Sequence, residues 1–246
     1  IPLGQKPGMG TIFNALIIAL MIDLCIKFVP TPTTYLNQLI LAIISVIIVG
    51  IGGGSTLDIS KAVSNLLTNA GKAEDYQGWD LVKNPGIYKI GIPTLSGTGS
   101  ESTRTCVMTN KKTNLKLGMN SDYTVFDQLI LDPLLSKTVA RNQYFYTGMD
   151  SYIHCIESLN GSYRNVIGDS YSHQVKELCK SIFLSGDMQS DENRSKMMVA
   201  SYLGGCAIAS SYVGLVHPFS AGLSIALGYH HSVSYTHLTL PTNREV

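Results

Sequence analysis

Asp150 and His154 stand four positions apart, and His217 and His231 follow with 13 residues between them. The 142–159 segment has helical spacing, and side chains at i and i+4 leave a helix on one face, so Asp150 and His154 point the same way. Three imidazoles and a carboxylate make a donor set for a borderline divalent cation such as zinc or ferrous iron. Taken alone, an Asp–His pair on a helix is an ordinary surface pair; the downstream histidines give it weight. His230, beside His231, offers the same imidazole, so either could be the fourth donor. Cys155 follows His154 directly and therefore points off that face, into a core. His173 belongs to a polar helix and reads as solvated.

Two glycine-rich runs could hold an anion. The first, Gly50-Ile51-Gly52-Gly53-Gly54-Ser55, lies between a strand pattern and a helix pattern. Glycines let backbone amides approach a pyrophosphate, and the helix start adds a positive dipole. An ordinary tight strand-to-helix turn would look the same. The run matches neither GxGxxG nor GxxxxGK[ST]. Asp58 and Lys61 extend it to GGGSxxDxxK and read as charges on a solvated helix face. The second run, PTLSGTGSE from Pro93 to Glu101, follows another strand pattern and is dense in hydroxyls. It is either a second cradle or a flexible loop capped by Ser100. Two such loops after successive strands favour a ligand, because parallel sheets bind ligands at the carboxyl ends of their strands.

The elements that must position these residues are readable. Short β-branched or apolar runs at 45–50, 88–92 and 125–131 predict buried strands, and 55–68 has helical spacing. Strands alternating with a helix argue a parallel α/β sheet. After Pro133 the pattern is helical throughout, over 142–159, 168–184, 191–213 and 218–228. The chain is expected to divide near residue 134 into an α/β half over 1–134 and an all-helical half over 135–231.

Composition narrows the function. Of 246 residues, 45% are hydrophobic and 14% charged, which supports a core and excludes a disordered chain. Eighteen Lys+Arg against 17 Asp+Glu form no basic block, so nucleic-acid binding by phosphate neutralisation is excluded. The five scattered cysteines contain no CxxC pair and support neither a zinc ribbon nor a disulfide framework. Reduced thiols in a cytoplasmic protein are expected. The segments 12–22 and 28–57 are strongly apolar, yet Asp23, Lys27, Pro30 and Pro32 interrupt them. A membrane span needs about 20 continuous apolar residues, and buried parallel strands are equally apolar, so no membrane partner is expected.

Both ends call for care. The chain opens on Ile1 rather than Met, so its N-terminus and the first strands of the α/β domain are expected to be incomplete. At the other end, residues 233–242 read VSYTHLTLPT, which is one reading frame of a common transposase sequencing adapter. Residues 232–246 are therefore expected to be a non-native tail, with the helical domain truncated beyond His231.

In order, GGGSTLDISK, IPTLSGTGSE, LDP and GMDSYIHCIE, together with His217 and His231, resemble the iron-containing (group III) alcohol dehydrogenases over about residues 30–231. The resemblance implies a dehydroquinate-synthase-like architecture, with a nucleotide domain, a helical metal domain and a cleft between. It implies that Gly52, Gly53, Gly54 and Ser55 meet the pyrophosphate of NAD(P), that Thr94 and Thr98 touch phosphate and nicotinamide, and that Lys116 reaches a ribose. It further implies that Asp150, His154, His217 and His231 hold Fe2+ or Zn2+. Ala221 departs from the pattern, since many relatives carry a proton-relaying histidine there; no catalytic proton carrier is assigned.

Within the family, HPFSAGLSIALGYHH and EDYQGWDLVKNPGIYKIGIPT resemble the branch that oxidises the C8 hydroxyl of 3-deoxy-D-manno-octulosonate for lipopolysaccharide synthesis. That resemblance implies a PLP aminotransferase as pathway partner, leaves dioxygen open as the final acceptor, and is compatible with a homodimer. An acidic sugar would need a counter-charge, for which Arg104, Lys116 and Arg141 are candidates. A sugar-phosphate cyclase of the dehydroquinate-synthase type would need a Lys/Arg cluster that 134–231 lacks. An inactive fragment is the third alternative.

Overall fold

A computed structural model of the chain describes residues 47–228. The apolar N-terminal runs up to residue 46, His230, His231 and the adapter-like tail lie outside the described residues. The order is β1 (Ile48–Gly52), α1 (Gly54–Leu66), β2 (Gly78–Trp79), β3 (Lys89–Pro93), β4 (Thr105–Asn110), β5 (Leu115–Asn120) and β6 (Gln128–Leu129). Four helices follow: α2 (Arg141–Asn160), α3 (Val166–Phe183), α4 (Asp191–Ser211) and α5 (Val216–Leu227).

The expected parallel sheet is present, in the order β1-β3-β6. β1 and β3 pair in parallel with Gly52 opposite Pro93, so both glycine-rich loops leave the same edge at the same level. The crossover between them is α1, which buries Leu57 and Ala62. A second sheet was not anticipated: β4 and β5 form an antiparallel hairpin, and β2 pairs in parallel with β5. Its signal is weak because β4 (TCVMTN) and β5 (LKLGMN) are short and keep neither a strict alternation nor a long apolar run, and the turn Lys111–Asn114 carries two lysines. Asn114 takes φ +53°, a left-handed conformation that Asn tolerates. The run 125–131 supplies only the two-residue β6.

The four helices match their predicted ranges closely. Tyr144, Cys155, Val175, Cys179 and Met197 form a core shared by α2, α3 and α4, so Cys155 is a packing residue as expected. Among the described residues no single helix is long and apolar enough to cross a membrane. α4 and α5 pass that test only as a pair, bent by 110°.

The two halves are clamped through the PTLSGTGSE loop. Gly97 presses on α2 so closely that a Cβ on it would lie 1.8 Å from the Thr147 carbonyl oxygen, and its φ is +135°. Gly99 meets Gly205 of α4, where a Cβ on Gly99 would lie 2.7 Å from the Gly205 Cα. Ser201 of α4 knits the contact. Its hydroxyl accepts from Gly97 N–H at 2.7 Å and donates to Glu101 Oε1 at 2.6 Å. Ser151 of α2 donates to the Gly97 carbonyl at 3.0 Å, and Ser102 donates to the Tyr202 carbonyl at 2.7 Å.

The clamp sets stability. Ser201→Ala leaves a buried amide and a buried carboxyl oxygen each without its partner, at about 1–3 kcal/mol apiece. A loss of about 2–6 kcal/mol in urea unfolding is expected. Gly97→Ala forces α2 off the loop and is expected to lose the cooperative transition altogether. A Ser201→Ala chain as stable as the parent would show that the contact carries no energy.

Candidate metal centre and cofactor edge

α2 positions the first two donors. Asp150 and His154 lie one helical turn apart, both buried, with His154 Nε2 3.4 Å from Asp150 Oδ1. His217, in the first turn of α5, brings its Nε2 to 3.4 Å from the same oxygen. The two imidazoles stack, with centroids 4.7 Å apart and planes 18° from parallel. One donor atom from each of Asp150, His154 and His217 lies within 4.8 Å of the others. Three of the four expected ligands are thus brought together; the fourth, His231, lies outside the described residues.

The electrostatics suit a cation. Burial drives the His154 ring down to about 4 against the pull of Asp150, so it is neutral with a lone pair to give. Burial would lower His217 as well, but hydrogen bonds to Asp150 and Glu157 outweigh it and hold the ring at about 9. Without an ion, a proton on His217 therefore compensates the buried carboxylates. The donor set of nitrogen and carboxylate oxygen, with no thiolate, fits ferrous iron or zinc.

Glu157 was not singled out from the sequence. It lies seven residues after Asp150 and three after His154, so it falls on the same face of α2. One of its oxygens accepts from Val216 N–H at 2.6 Å and from His217 N–H at 3.3 Å, and the other contacts His217 Nδ1. The available signal was the 150/154/157 spacing on a single helix.

The cofactor candidates gather at the neighbouring edge. Gly52 closes β1, and Gly53 precedes the first turn of α1, which has neither a side-chain cap nor an acidic residue. Ser55 is exposed and the three glycines are half-buried, so the helix start is open to a ligand. Thr94 N–H donates to the Gly52 carbonyl at 2.9 Å. The Thr98 side chain lies about 2.9 Å from where a Cβ on Gly54 would stand. The two loops therefore form one surface.

Lys116 sits on β5 opposite Thr109. Burial lowers its ammonium, while Asp58 and Asp150 pull it back up, so it lies within electrostatic reach of the metal cluster. Of the other two cations proposed for an acidic substrate, Arg104 is engaged with Asp80 and Asp122, and Arg141 is exposed at the start of α2.

Asp58 and Lys61 correct the sequence reading. They are not solvated helix-face charges. Lys61 is fully buried and donates to the carbonyls of Thr103 and Thr105 at 2.9 and 3.0 Å. Asp58, half-buried, accepts from Ser100 Oγ at 2.6 Å and from Val107 N–H at 3.0 Å. Residues 100–107 fold back over α1, and this pair fastens them there. His173 is exposed, as its polar helix predicts.

The family model for iron-containing alcohol dehydrogenase matches residues 30–133, and the model for the C-terminal region of the same family matches residues 144–243. The chain is 34% identical over 192 residues to a sulfoacetaldehyde reductase of Bilophila wadsworthia, covering 76% of this chain and 49% of the relative. It is 31% identical over 175 residues to an NAD-dependent methanol dehydrogenase of Bacillus methanolicus, covering 70% and 46%. Among solved structures, a 1,3-propanediol oxidoreductase superposes with a TM-score of 0.74 at 30% identity, covering 78% of this chain and 50% of that one. A sulfoacetaldehyde reductase of Bifidobacterium kashiwanohense in complex with NAD+ gives a TM-score of 0.68 at 28% identity, covering 85% and 57%. The chain spans about half the length of the curated relatives it matches. With both family models matched in order along one chain, it belongs to the iron-containing alcohol dehydrogenase family.

Proposed function

We propose that the protein of which this chain is part is a metal-dependent dehydrogenase of a primary alcohol, using NAD(P), and that its substrate is an acidic sugar such as 3-deoxy-D-manno-octulosonate. The observation that carries the reading is the Asp150–His154–His217 cluster, two of whose members lie on the helix that also packs against the Gly97 loop. The chemistry supplied by the bound groups is acidification of an alcohol hydroxyl by the cation and acceptance of a hydride by the nicotinamide.

The chain's own residues do the rest. Asp150 supplies negative charge and His154 a neutral lone pair to the cation; His231, or His230 beside it, is the proposed remaining donor. The first-turn amides of α1 and the Gly52–Ser55 backbone receive pyrophosphate, with Thr94 and Thr98 closing the other side. Lys116 offers the positive charge that an anionic substrate, or a cofactor ribose, would meet near the cluster. Relatives named for methanol, propanediol and sulfoacetaldehyde share small oxygenated substrates, one of them anionic. Ala221, four residues after His217 on α5, is smaller than a histidine and leaves room for a longer polyol.

Metal content and ligand-dependent stability test this reading. One divalent ion per chain is expected by elemental analysis, and Asp150→Ala or His217→Ala is expected to lose it; full occupancy in both variants refutes the ligand set. Melting should rise with metal and NAD together, because ligands that bind the folded form stabilise it by mass action.

The pH dependence has a definite sign. His217 without an ion carries a proton up to about pH 9, whereas His154 is neutral above about 4. Binding must therefore expel the His217 proton, so apparent zinc affinity rises about tenfold per pH unit through neutrality and levels above pH 9. Calorimetry in buffers of different ionisation enthalpy should read about one proton released; a pH-independent affinity contradicts it.

For substrate class, kcat/KM of the full-length protein for octulosonate should exceed that for ethanol, propanediol and glycerol. Better turnover of the small alcohols removes the sugar-acid assignment and leaves the dehydrogenase reading standing.

A further inference from the structure

We infer that Glu157 is the positioning residue of the metal centre, fixing the tautomer and direction of His217 through a carboxylate that must accept hydrogen bonds on both of its oxygens. The inference rests on the metal reading above and deepens it.

Among the described residues, the hydrogen-bond partners of Glu157 all lie at the start of α5. Its side chain is buried, with 5% exposed, although carboxylates are rarely buried without a partner. Oε1 faces two backbone donors at the start of α5, Val216 N–H at 2.6 Å and His217 N–H at 3.3 Å. Oε2 faces the ring nitrogen His217 Nδ1. Gly214 leaves the room for this: a Cβ there would lie 2.9 Å from Glu157 Oε1.

One carboxylate therefore holds both the backbone and the ring of the same residue. With Nδ1 kept as an N–H donor to Oε2, the ring turns Nε2 toward Asp150 Oδ1, 3.4 Å away. Metal-binding histidines commonly rely on such a partner, and its removal costs about 10–100-fold in metal affinity.

The requirement is for a carboxylate and not merely for volume. Glutamine has the same shape, but one of its two ends is an NH2 group. Placed toward the backbone, that group meets two N–H donors; placed toward the ring, it meets Nδ1–H. Either orientation sets donor against donor in a buried site, where unpaired groups are costly. A role limited to packing predicts that glutamine is tolerated. A positioning role predicts that it is not.

The experiment uses the 246-residue chain and cobalt(II), with affinity read by competition against a chromophoric chelator and ligand geometry by visible absorption. Glu157→Gln is expected to bind cobalt(II) about 10–100-fold more weakly, with an altered spectrum and unchanged helix content by circular dichroism. Glu157→Gln with parental affinity and spectrum overturns the inference.

A measurement on the parent keeps the test independent of folding in the variant. In the zinc-loaded, 15N-histidine-labelled chain, His217 should carry its proton on Nδ1; a proton on Nε2 overturns the assignment. A parent chain that binds neither cobalt(II) nor zinc overturns the metal reading itself, which is a different failure from tolerance of glutamine.

Discussion

The contact on which the arrangement depends is Gly97 against the Thr147 carbonyl of α2. No side chain fits there, and the loop carrying Thr94 and Thr98 reaches the helix only because position 97 has none. From that contact the rest follows along one helix face. Thr147 and Ser151 hold the loop, Asp150 and His154 stand between and beyond them, and Glu157 reaches α5. Ser158 completes the stripe by accepting from Ser211 Oγ at the end of α4. Positions 147, 150, 151, 154, 157 and 158 recur at helical period, so one buried polar stripe ties the proposed cofactor edge to the candidate metal cluster.

Burying so much polarity is expensive unless the groups are paired, and short hydroxyls make many of the pairings, although Glu101 Oε2 and His154 Nδ1 have no hydrogen-bond partner among the described residues. Ser151, Ser201 and Ser102 are small enough to sit between close backbones and still bridge them. The charged residues at the junction follow the same logic. Lys61 spends its ammonium on two carbonyls and the Thr103 hydroxyl, and Asp58 accepts from a hydroxyl and an amide. They turn residues 100–107 into a fixed lining over α1, the helix whose start faces the proposed pyrophosphate.

Much of this was legible in the sequence, and the failures have physical causes. The helical half was readable because long segments with apolar residues at period 3.6 leave little ambiguity. The shared direction of Asp150 and His154 was readable because i, i+4 spacing within such a helix fixes it. Asp58 and Lys61 were misjudged because a charged residue on an amphipathic helix is ordinarily solvated. Nothing local in GGGSTLDISK reveals that a loop 40 residues downstream folds over it. The β4–β5 hairpin was missed because its short strands face solvent on one side and offer no continuous apolar run. Glu157 was passed over for a related reason: two of its three contacts are to backbone amides of α5, which leave no trace in a pattern of side chains, and only its spacing from Asp150 and His154 was there to read.

These causes point to how the site holds its shape. Each donor on α2 is fixed by the helix itself, but His217 arrives on a separate helix, after the sharp turn that bends α5 by 110° from α4. A helix start attached through so short a turn could settle in several orientations, each placing the imidazole differently. Tying it by its first amides and by its ring to a carboxylate of α2 reduces those orientations to one. The same carboxylate that favours a proton on His217 when no ion is present thereby sets the direction of the nitrogen that would bind an ion. The rigidity of α2 extends through Glu157 to a donor that α2 does not carry.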